Sequence, residues 1–551
     1  MQFYQAYFHL LLFLFIVLAK FIIFIQKNGK NISGEKIMKR IVYVFLSLII
    51  CFSVSVGRIF YISNNNIYLA GASQSKKTVN VAFERGTVFD TNSIPLTNAE
   101  YEYYAIVPPS AQAINATKKY LSDNDRKTLA SGFPVKVKVD HSFYSSSVTL
   151  VKVPKRYNNI CPHIIGYCDQ NNNGVCGIEK DFNDILKGGK TTVSYNIKAD
   201  GTVINNSGEV KQQQVKKGVK LTIDKSIQTI CERAANKYLE KGAIVVLENK
   251  TGKVRALVST PSFDNSSPQK YINSDDSPLY NRALSAYNCG SVFKVLVAAT
   301  ALYYDVDLSY NCNGSLKLGD TTFNCVTPHS DVNMCDALTK SCNCYFIKLG
   351  QKIGAEKLLR FASSFGFGNK IKLTESLITS GENLPTLKSL ITLPAELANF
   401  TFGQGVIMTS PLQIASVIQC VANNGKRIIP TLVEGVTDEK GNLIEEEKEN
   451  LPTYLLSENQ AKLLQKYLVN TVNNGTGTLA KPQKNGAGGK TATAQTGIID
   501  ENGQAIYQTW FAGFYPAKNP VYTIVVIKEN GSSGSEDCAP VFKFIADSIC
   551  G

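Results

Sequence analysis

Ser291 and Lys294, in YNCGSVFKVLVAAT (residues 287–300), are the pair of residues in this chain best placed to do chemistry. A spacing of three puts both side chains on one face of a helix. Residues 292–299 are apolar apart from Lys294, so the segment reads as a helix buried on every side. A lysine in such a helix is costly unless it has a partner or a task. Desolvation lowers the pKa of an amine and turns it into a base. A hydroxyl within its reach becomes an activated nucleophile. The pattern therefore points to attack on a carbonyl by Ser291, with Lys294 taking the proton. The same Ser-x-x-Lys tetrad recurs at Ser33/Lys36, Ser73/Lys76 and Ser267/Lys270, where a solvated loop pair is the simpler reading. Only the copy at Ser291 follows a glycine and opens a buried helix.

Two further short motifs follow in chain order. In Ser341-Cys342-Asn343 the hydroxyl suits a proton relay to a leaving amine, and the amide suits a substrate peptide carbonyl. Ser194-Tyr195-Asn196 and Ser309-Tyr310-Asn311 match the same pattern, so the motif alone carries little. The second motif is Lys490-Thr491-Ala492-Thr493, in GAGGKTATAQTG. Its small residues suit a strand edge that a substrate backbone approaches closely, pairing by strand addition. Lys490 offers charge to a carboxylate, and Thr491 offers a hydroxyl.

The elements that must position these groups begin near Val219. VKLTIDKSIQTICERAANKYLEK reads as a strand and then a helix capped by Asp224, and GAIVVLENKTGKVRALVSTPSFD as two strands joined by a turn at Asn249–Gly252. Helical runs are expected over 295–304, 336–349 and 355–365, and over TSPLQIASVIQCVANNG, with Ser410 before Pro411 at its start. Late strands TWFAGFYP and VYTIVVIKEN precede a closing helix at 540–549. Strand, helices, then strands predict an α+β fold, with one domain over 217–551 containing a helical subdomain. Residues 63–216 read as a mixed α/β, non-catalytic pedestal, with a hairpin in FERGTVFDTNSIPLTN and strands at 104–107 and 135–139.

Residues 1–62 hold two apolar stretches, 7–25 and 41–62, around a basic loop with Lys27, Lys30, Lys36, Lys39 and Arg40. The excess of positive charge places that loop in the cytoplasm and the bulk of the chain outside. The second stretch reads as an anchor rather than a cleaved leader, and Met38 is an alternative start. The 551 residues allow roughly three or four domain-sized units. A net charge of +14 suits anionic surfaces such as lipid headgroups or cell-wall polymer, although a solvated lysine-rich surface explains it as well. No basic run interleaved with aromatics and no Walker loop is present, so nucleic acid and nucleotide partners are not expected. The chain has fourteen cysteines and four histidines. No C-x-x-C pair occurs, and neither a metal site nor a cofactor is expected. Setting aside Cys51 in the apolar stretch leaves an odd number, so at least one thiol is free or paired between chains, and Cys312 with Cys325 is one possible disulfide.

Together the three motifs resemble those of the serine acyl-transferases that recognise penicillin. ERGTVFD (84–90), GIEKDFNDILKGG, LTID, TGKVRALVSTPSFD, NRAL…CGSVFK, SCNCYF, FGQGVIMTSPLQIASVIQCVANNGKRIIPTLV and TWFAGFYP all look like a class B penicillin-binding protein, from about residue 80 to the end. The resemblance implies a peptidoglycan DD-transpeptidase anchored in the cell membrane, with its catalytic domain on the extracytoplasmic side. Ser291 would attack the penultimate D-Ala of a stem peptide, with Lys294 as base. Ser341 would return the proton to the departing D-Ala, and Asn343 would orient the substrate. Lys490, Thr491 and Thr493 would bind it, with the backbone N–H groups of Ser291 and Thr493 as oxyanion hole. Implied partners are donor and acceptor stem peptides, a membrane glycan polymerase, other wall-synthesis or division proteins, and β-lactams. Two other readings share the fold: a β-lactamase or DD-carboxypeptidase hydrolase, and a non-catalytic penicillin-binding scaffold or sensor. One residue departs from the family pattern: Ala492 stands where the family has glycine. Its methyl is expected to crowd the strand edge, so that Ala492→Gly would speed acylation.

Overall fold

The structure, a computed structural model, describes residues 32–64 and 76–549 except 199–201, 205–206, 214 and 382, together with Lys20, Ile23 and Lys27. Apart from Lys20 and Ile23, the apolar stretch 7–25 falls outside the described residues. Helix α1 (Ile32–Asn64) contains an apolar run, Lys39–Ile59, of mean hydropathy 2.1 and with none of it buried. Its 21 residues are enough to cross a bilayer at about 1.5 Å per residue. The expected basic loop is corrected here: from Ile32 onward the chain is already helical, so Lys36, Lys39 and Arg40 belong to α1.

The next strands are β1 (Lys76–Arg85), β2 (Val88–Phe89), β3 (Thr97–Val107), β4 (Val135–Val139), β5 (Thr149–Tyr157), β6 (Lys187–Asn196), β7 (Glu209–Lys211) and β8 (Lys217–Leu221). They form two three-stranded sheets, β1-β6-β7 and β4-β3-β5. In β4 the sequence VKVKV alternates buried valine with exposed lysine, as a strand covered on one face must. The expected hairpin is only partly present. A tight turn over Asp90–Ile94 bridges Phe89 to Pro95, but β1 pairs with β6, and β2 runs parallel to β8. Gly86 explains the route: a Cβ there would lie 2.1 Å from the Lys217 carbonyl oxygen, so only glycine lets the two segments meet. β2 and β8 belong to a further sheet, ordered β12-β11-β8-β2, with β11 (Val433–Asp438) and β12 (Leu443–Glu446). The two three-stranded sheets are tied together by Glu179, whose buried carboxylate lies 2.7 Å from Nε of Arg85 in β1 and 2.6 Å from Nε of Arg156 in β5.

The larger unit is built on five antiparallel strands. They are β9 (Gly242–Glu248), β10 (Val254–Thr260), β13 (Gly488–Ile499), β14 (Ala505–Tyr515) and β15 (Tyr522–Gly531), in the order β10-β9-β15-β14-β13. The inner strands are apolar almost throughout because both faces are covered. In β9, Ile244 and Val246 pack with α2 (Lys225–Tyr238) and the closing helix α8 (Ala539–Ile549), whereas Val245 and Leu247 face the main core. Asp224 caps α2 as expected, its carboxylate accepting from the N–H groups of Ser226 and Ile227. The main core holds α3 (Lys294–Tyr303), α4 (Met334–Thr339), α5 (Asn343–Ile353), α6 (Pro411–Ala422) and α7 (Glu458–Asn474). The single helix expected over 336–349 is in fact two, α4 and α5, separated at Lys340–Cys342.

Candidate active site

Three elements converge at one end of the five-stranded sheet. Ser291 lies in a 3-10 turn, Gly290–Phe293, that leads into α3 rather than in the α-helix itself. Gly290 takes φ +56°, and its N–H donates to the Gly403 carbonyl at 2.8 Å. Lys294, the first residue of α3, is fully buried. The break between α4 and α5 supplies the second element. Ser341 there adopts φ +59°, a conformation that stops α4 and turns its hydroxyl toward α3. Cys342 caps α5, its Sγ accepting from Tyr345 N, and Asn343 is the first helical residue.

These residues form one hydrogen-bonded cluster. Lys294 Nζ donates to Asn343 Oδ1 at 2.6 Å, to the Ser341 carbonyl at 2.9 Å and to Ser341 Oγ at 3.2 Å. Ser341 Oγ lies 3.1 Å from Ser291 Oγ, so it bridges nucleophile and amine. Asn343 is itself held by its Nδ2, which donates to the Asn324 carbonyl at 2.9 Å. Burial lowers the Lys294 pKa to about 8, against an opposing pull from the sulfurs of Cys342, Cys325 and Cys344. Near neutral pH a useful fraction of this amine is therefore uncharged, as a general base requires.

The third element is β13, the last strand of the sheet, with no strand on its outer side among the described residues. Thr491 and Thr493 line a groove of about 890 Å³ together with Ser291, Ser341 and Asn343. Thr491 Oγ1 donates to Thr476 Oγ1 at 2.7 Å, and Thr493 Oγ1 accepts from Gly534 N at 3.2 Å. Lys490 departs from expectation. It is fully buried, its Nζ donates to the Thr491 carbonyl at 3.1 Å, and it does not line the groove. Burial, and then the neighbouring charge of Lys294, push its pKa well below the ordinary lysine value.

Ala492 also lines the groove. The side chain is buried, and a Cβ built on Gly290 would lie 3.4 Å from the Ala492 Cβ and 3.0 Å from that of Ala494. The methyl therefore packs toward the serine turn rather than projecting at the outer edge of β13. On the opposite face Gly534 presses on the backbone, where an added Cβ would lie 2.3 Å from the Ala492 carbonyl oxygen.

Sequence reasoning missed several residues of the site. Thr476 meets Thr491, and Gly475 lies where a Cβ would be 2.3 Å from the Thr339 carbonyl oxygen. Ser533 and Ser535 line the groove's far lip. No motif announces them, since each acts through proximity alone. A second miss is chemical. Cys312, Cys325, His329 and Cys342 place one ligand atom each within 4.8 Å of one another, although no C-x-x-C pair exists and no metal site was expected. The suggested Cys312–Cys325 disulfide is absent: both are free thiols with sulfurs 3.7 Å apart.

The penicillin binding protein transpeptidase domain family matches residues 242–547, more than half of the chain, and the chain belongs to that family. With its N-terminal apolar helix it is a class B penicillin-binding protein. Among its relatives, Stage V sporulation protein D of Bacillus subtilis is 28% identical over 550 residues, which cover 91% of this chain and 83% of the relative. The peptidoglycan D,D-transpeptidase MrdA of Haemophilus influenzae is 29% identical over 432 residues, 69% of this chain and 63% of the relative. Among solved structures, the D,D-transpeptidase domain of a peptidoglycan glycosyltransferase from Eggerthella lenta aligns with TM-score 0.63 and 24% identity, covering 85% of this chain and 98% of that one. Penicillin binding protein 3 of Mycobacterium tuberculosis, complexed with ampicillin, aligns with TM-score 0.63 and 22% identity over 86% of this chain and 95% of that one.

Proposed function

We propose that this protein is a membrane-anchored peptidoglycan DD-transpeptidase working through an acyl-enzyme at Ser291. The observation that carries the reading is the continuous path from Ser291 Oγ through Ser341 Oγ to the buried Lys294 amine, opening on a groove beside the free edge of β13.

The three contacts of Lys294 set the proton chemistry. The Ser341 carbonyl and Asn343 Oδ1 only accept hydrogen bonds, so they keep two N–H groups of the amine in either charge state. A neutral amine then has one lone pair left, and Ser341 Oγ is the partner able to turn round and donate to it. As Ser291 Oγ attacks the carbonyl of the penultimate D-Ala, its proton passes to Ser341, whose own proton moves to Lys294. The reverse transfer protonates the amine of the departing D-Ala. A stem peptide laid along β13 would place its terminal carboxylate at the Thr491 and Thr493 hydroxyls, with Lys490 behind them. The backbone N–H groups of Ser291 and Thr493 would receive the oxyanion, each such donor being worth roughly 3–4 kcal/mol in the transition state. An amine from a neighbouring stem then takes the acyl group and closes the cross-link. β-Lactams acylate the same serine.

A hydrolase of this fold needs a base to activate water against the acyl-enzyme. No Asp or Glu is among the groove-lining residues, and the one groove-lining imidazole, His329, is engaged through Nδ1 with the Cys312 thiol at 3.7 Å, which favours transfer to an amine over hydrolysis. The apolar run of α1 supports a membrane anchor that holds the catalytic unit near newly made glycan. The extracytoplasmic placement, the division into a pedestal over 63–216 and a catalytic domain over 217–551, and a glycan-polymerising membrane partner are parts of this proposal.

The test is to incubate the full-length protein with a fluorescent penicillin, digest it and map the adduct. The reading expects a long-lived adduct on Ser291 and none in Ser291→Ala. An adduct on another side chain overturns the assignment, and rapid release of hydrolysed drug would make the protein a hydrolase.

A further inference from the structure

Lys294, Lys490 and Lys340 lie around the reactive serine, and they differ in what they can touch. Lys294 and Lys490 are fully buried and neither lines the groove. Burial holds both amines below the ordinary lysine range, so neither offers a substrate anion a dependable positive charge. Lys340 is exposed and lines the groove, and among the described residues no other lysine or arginine does. No Asp or Glu stands with it in the lining, and among the described residues it has no ion-pair partner. The contact its Nζ makes is a long one, 3.5 Å to the His329 carbonyl.

The place of Lys340 in the fold sets which part of a substrate it meets. It closes α4, its N–H donating to the Asp336 carbonyl at 2.8 Å. The carbonyl of the preceding residue, Thr339, accepts from Thr476 N at 3.1 Å, and Thr476 Oγ1 accepts from Thr491 Oγ1 at 2.7 Å. Lys340 therefore stands beside the threonine end of the groove. Residues 326–330 form another wall, between two ribbons that pair Tyr310–Cys312 with Ser330–Val332 and Ser315–Leu318 with Thr321–Asn324. Ser533 and Ser535 form the far lip. An anion entering this groove meets many hydroxyls and one lysine.

We propose that Lys340 is the ionic partner of the substrate's terminal carboxylate, gripping it from the solvent side while the Thr491 and Thr476 hydroxyls hold it from the strand side. The proposal rests on the acyl-enzyme reading above and adds the residue that selects a free carboxyl terminus. An ammonium on a flexible stem, with three donors, can leave the His329 carbonyl and follow an anion. The contact is ionic, and no bond or proton moves. Exposure makes it weak and sensitive to salt. That suits the reaction, because the carboxylate belongs to the D-Ala that departs on acylation and must be let go before an amine enters. A cation at the end of a helix also interacts favourably with the helix dipole, so the experiment has to separate binding from a structural role.

The experiment gives the full-length protein in detergent two thioester donors, with a D-amino acid as acceptor. One is N-benzoyl-D-alanyl thioglycolate, which carries the terminal carboxylate, and the other is its neutral primary amide. Loss of thioester absorbance reports turnover without a thiol reagent, which the protein's own free cysteines would consume. The unsubstituted protein should prefer the acid, and added salt should erode that preference. Lys340→Met should lower the acid-to-amide ratio of kcat/KM about 5-fold, the upper end for an exposed ion pair, with the loss in KM rather than kcat. Lys340→Arg should keep the ratio. Should Lys340→Met fold poorly, Lys340→Gln carries the same expectation. An unchanged ratio in the neutral variants, or a loss shared equally by acid and amide, would overturn the proposal. So would an unsubstituted protein with no preference for the acid. Failure of the unsubstituted protein to form any penicillin adduct would overturn the acyl-enzyme reading, and this one with it.

Discussion

The buried amine of Lys294 makes the pH dependence of acylation a sharp test. Its pKa is lowered from 10.5 to about 8, chiefly by burial. Only the uncharged form accepts the serine proton. That form amounts to about a hundredth of the enzyme at pH 6, about a tenth at pH 7, about half at pH 8 and about nine-tenths at pH 9. The second-order rate of acylation by a chromogenic β-lactam, followed by stopped flow, should therefore rise close to tenfold per unit below pH 7.5 and level off near pH 9. Lys294→Arg keeps its charge throughout and should lose the rising limb along with some 10²–10⁴-fold of the rate. The same shift has a stability counterpart. Because the folded pKa lies below the unfolded one, the penalty for burying the charge is fully present below pH 8 and fades between about pH 8 and 10.5. At 1.36 kcal/mol per unit it amounts to about 3 kcal/mol. Denaturant midpoints should accordingly climb with pH across that window. A flat rate profile from pH 6 to 9 would refute the role of Lys294 as base.

Other expectations follow from the same geometry. Ser341→Ala keeps the backbone carbonyl that holds Lys294, so the rising limb should survive while the rate falls about 10²–10⁴-fold, and an unchanged rate would exclude the relay. Thr491→Val removes a hydroxyl from the carboxylate end of the groove. A hydrogen bond to a charged group is worth about 1.5–3 kcal/mol, so β-lactam acylation should drop roughly 10- to 100-fold with the melting temperature little changed. Ala492→Gly deletes a buried methyl, worth about 0.8 kcal/mol, and adds a strand-glycine penalty of roughly 0.5–1 kcal/mol. It should lower stability and leave acylation no faster, the reverse of what the sequence suggests, and a large acceleration would show that the methyl does face the substrate. In Glu179 the penalty of burial is outweighed by the guanidinium groups of Arg156 and Arg85, which hold its carboxyl below the usual range. Glu179→Gln strands two buried charges and should cost about 3–5 kcal/mol in denaturant titrations, with acylation per folded molecule retained.

What could be read from the chain and what could not divides along physical lines. The buried helix behind Ser291, the Asp224 cap and the doubly covered strands follow from local pattern: apolar periodicity, a capping carboxylate, unbroken valine runs. The break between α4 and α5 did not show. KSCN carries no proline or glycine, and it is Ser341 that takes the positive φ which stops the helix. Lys490 reads from the sequence as a charge offered directly to a carboxylate, yet it is fully buried, where Phe511 and Phe514 pack on Gly488 and Gly489 at that end of β13. The cysteine cluster was hidden because its ligands come from two ribbons and a helix cap. Only ribbon pairing brings His329 to Cys312, through the bond from His329 N to the Cys312 carbonyl at 3.0 Å.

The groove combines reactive groups with rigidity by one repeated device: close backbone approach at glycine. Gly290 lets the serine turn lie against Ala492 and Ala494, Gly534 lets the opposite lip press on Ala492, and Gly475 lets the end of α7 touch the Thr339 carbonyl at the end of α4. Each contact ties one of the three elements to a neighbour through backbone, which has no rotamers to relax. This matters because the site carries two buried lysines, both held below the ordinary lysine range chiefly by burial, and the charge of Lys294 lowers Lys490 further. A looser frame would let water in, restore both pKa values and leave Ser291 without a base. The small residues of GKTATA are therefore as much a part of the chemistry as the lysine among them: they allow the dry contact in which Lys294 is uncharged often enough to accept a proton.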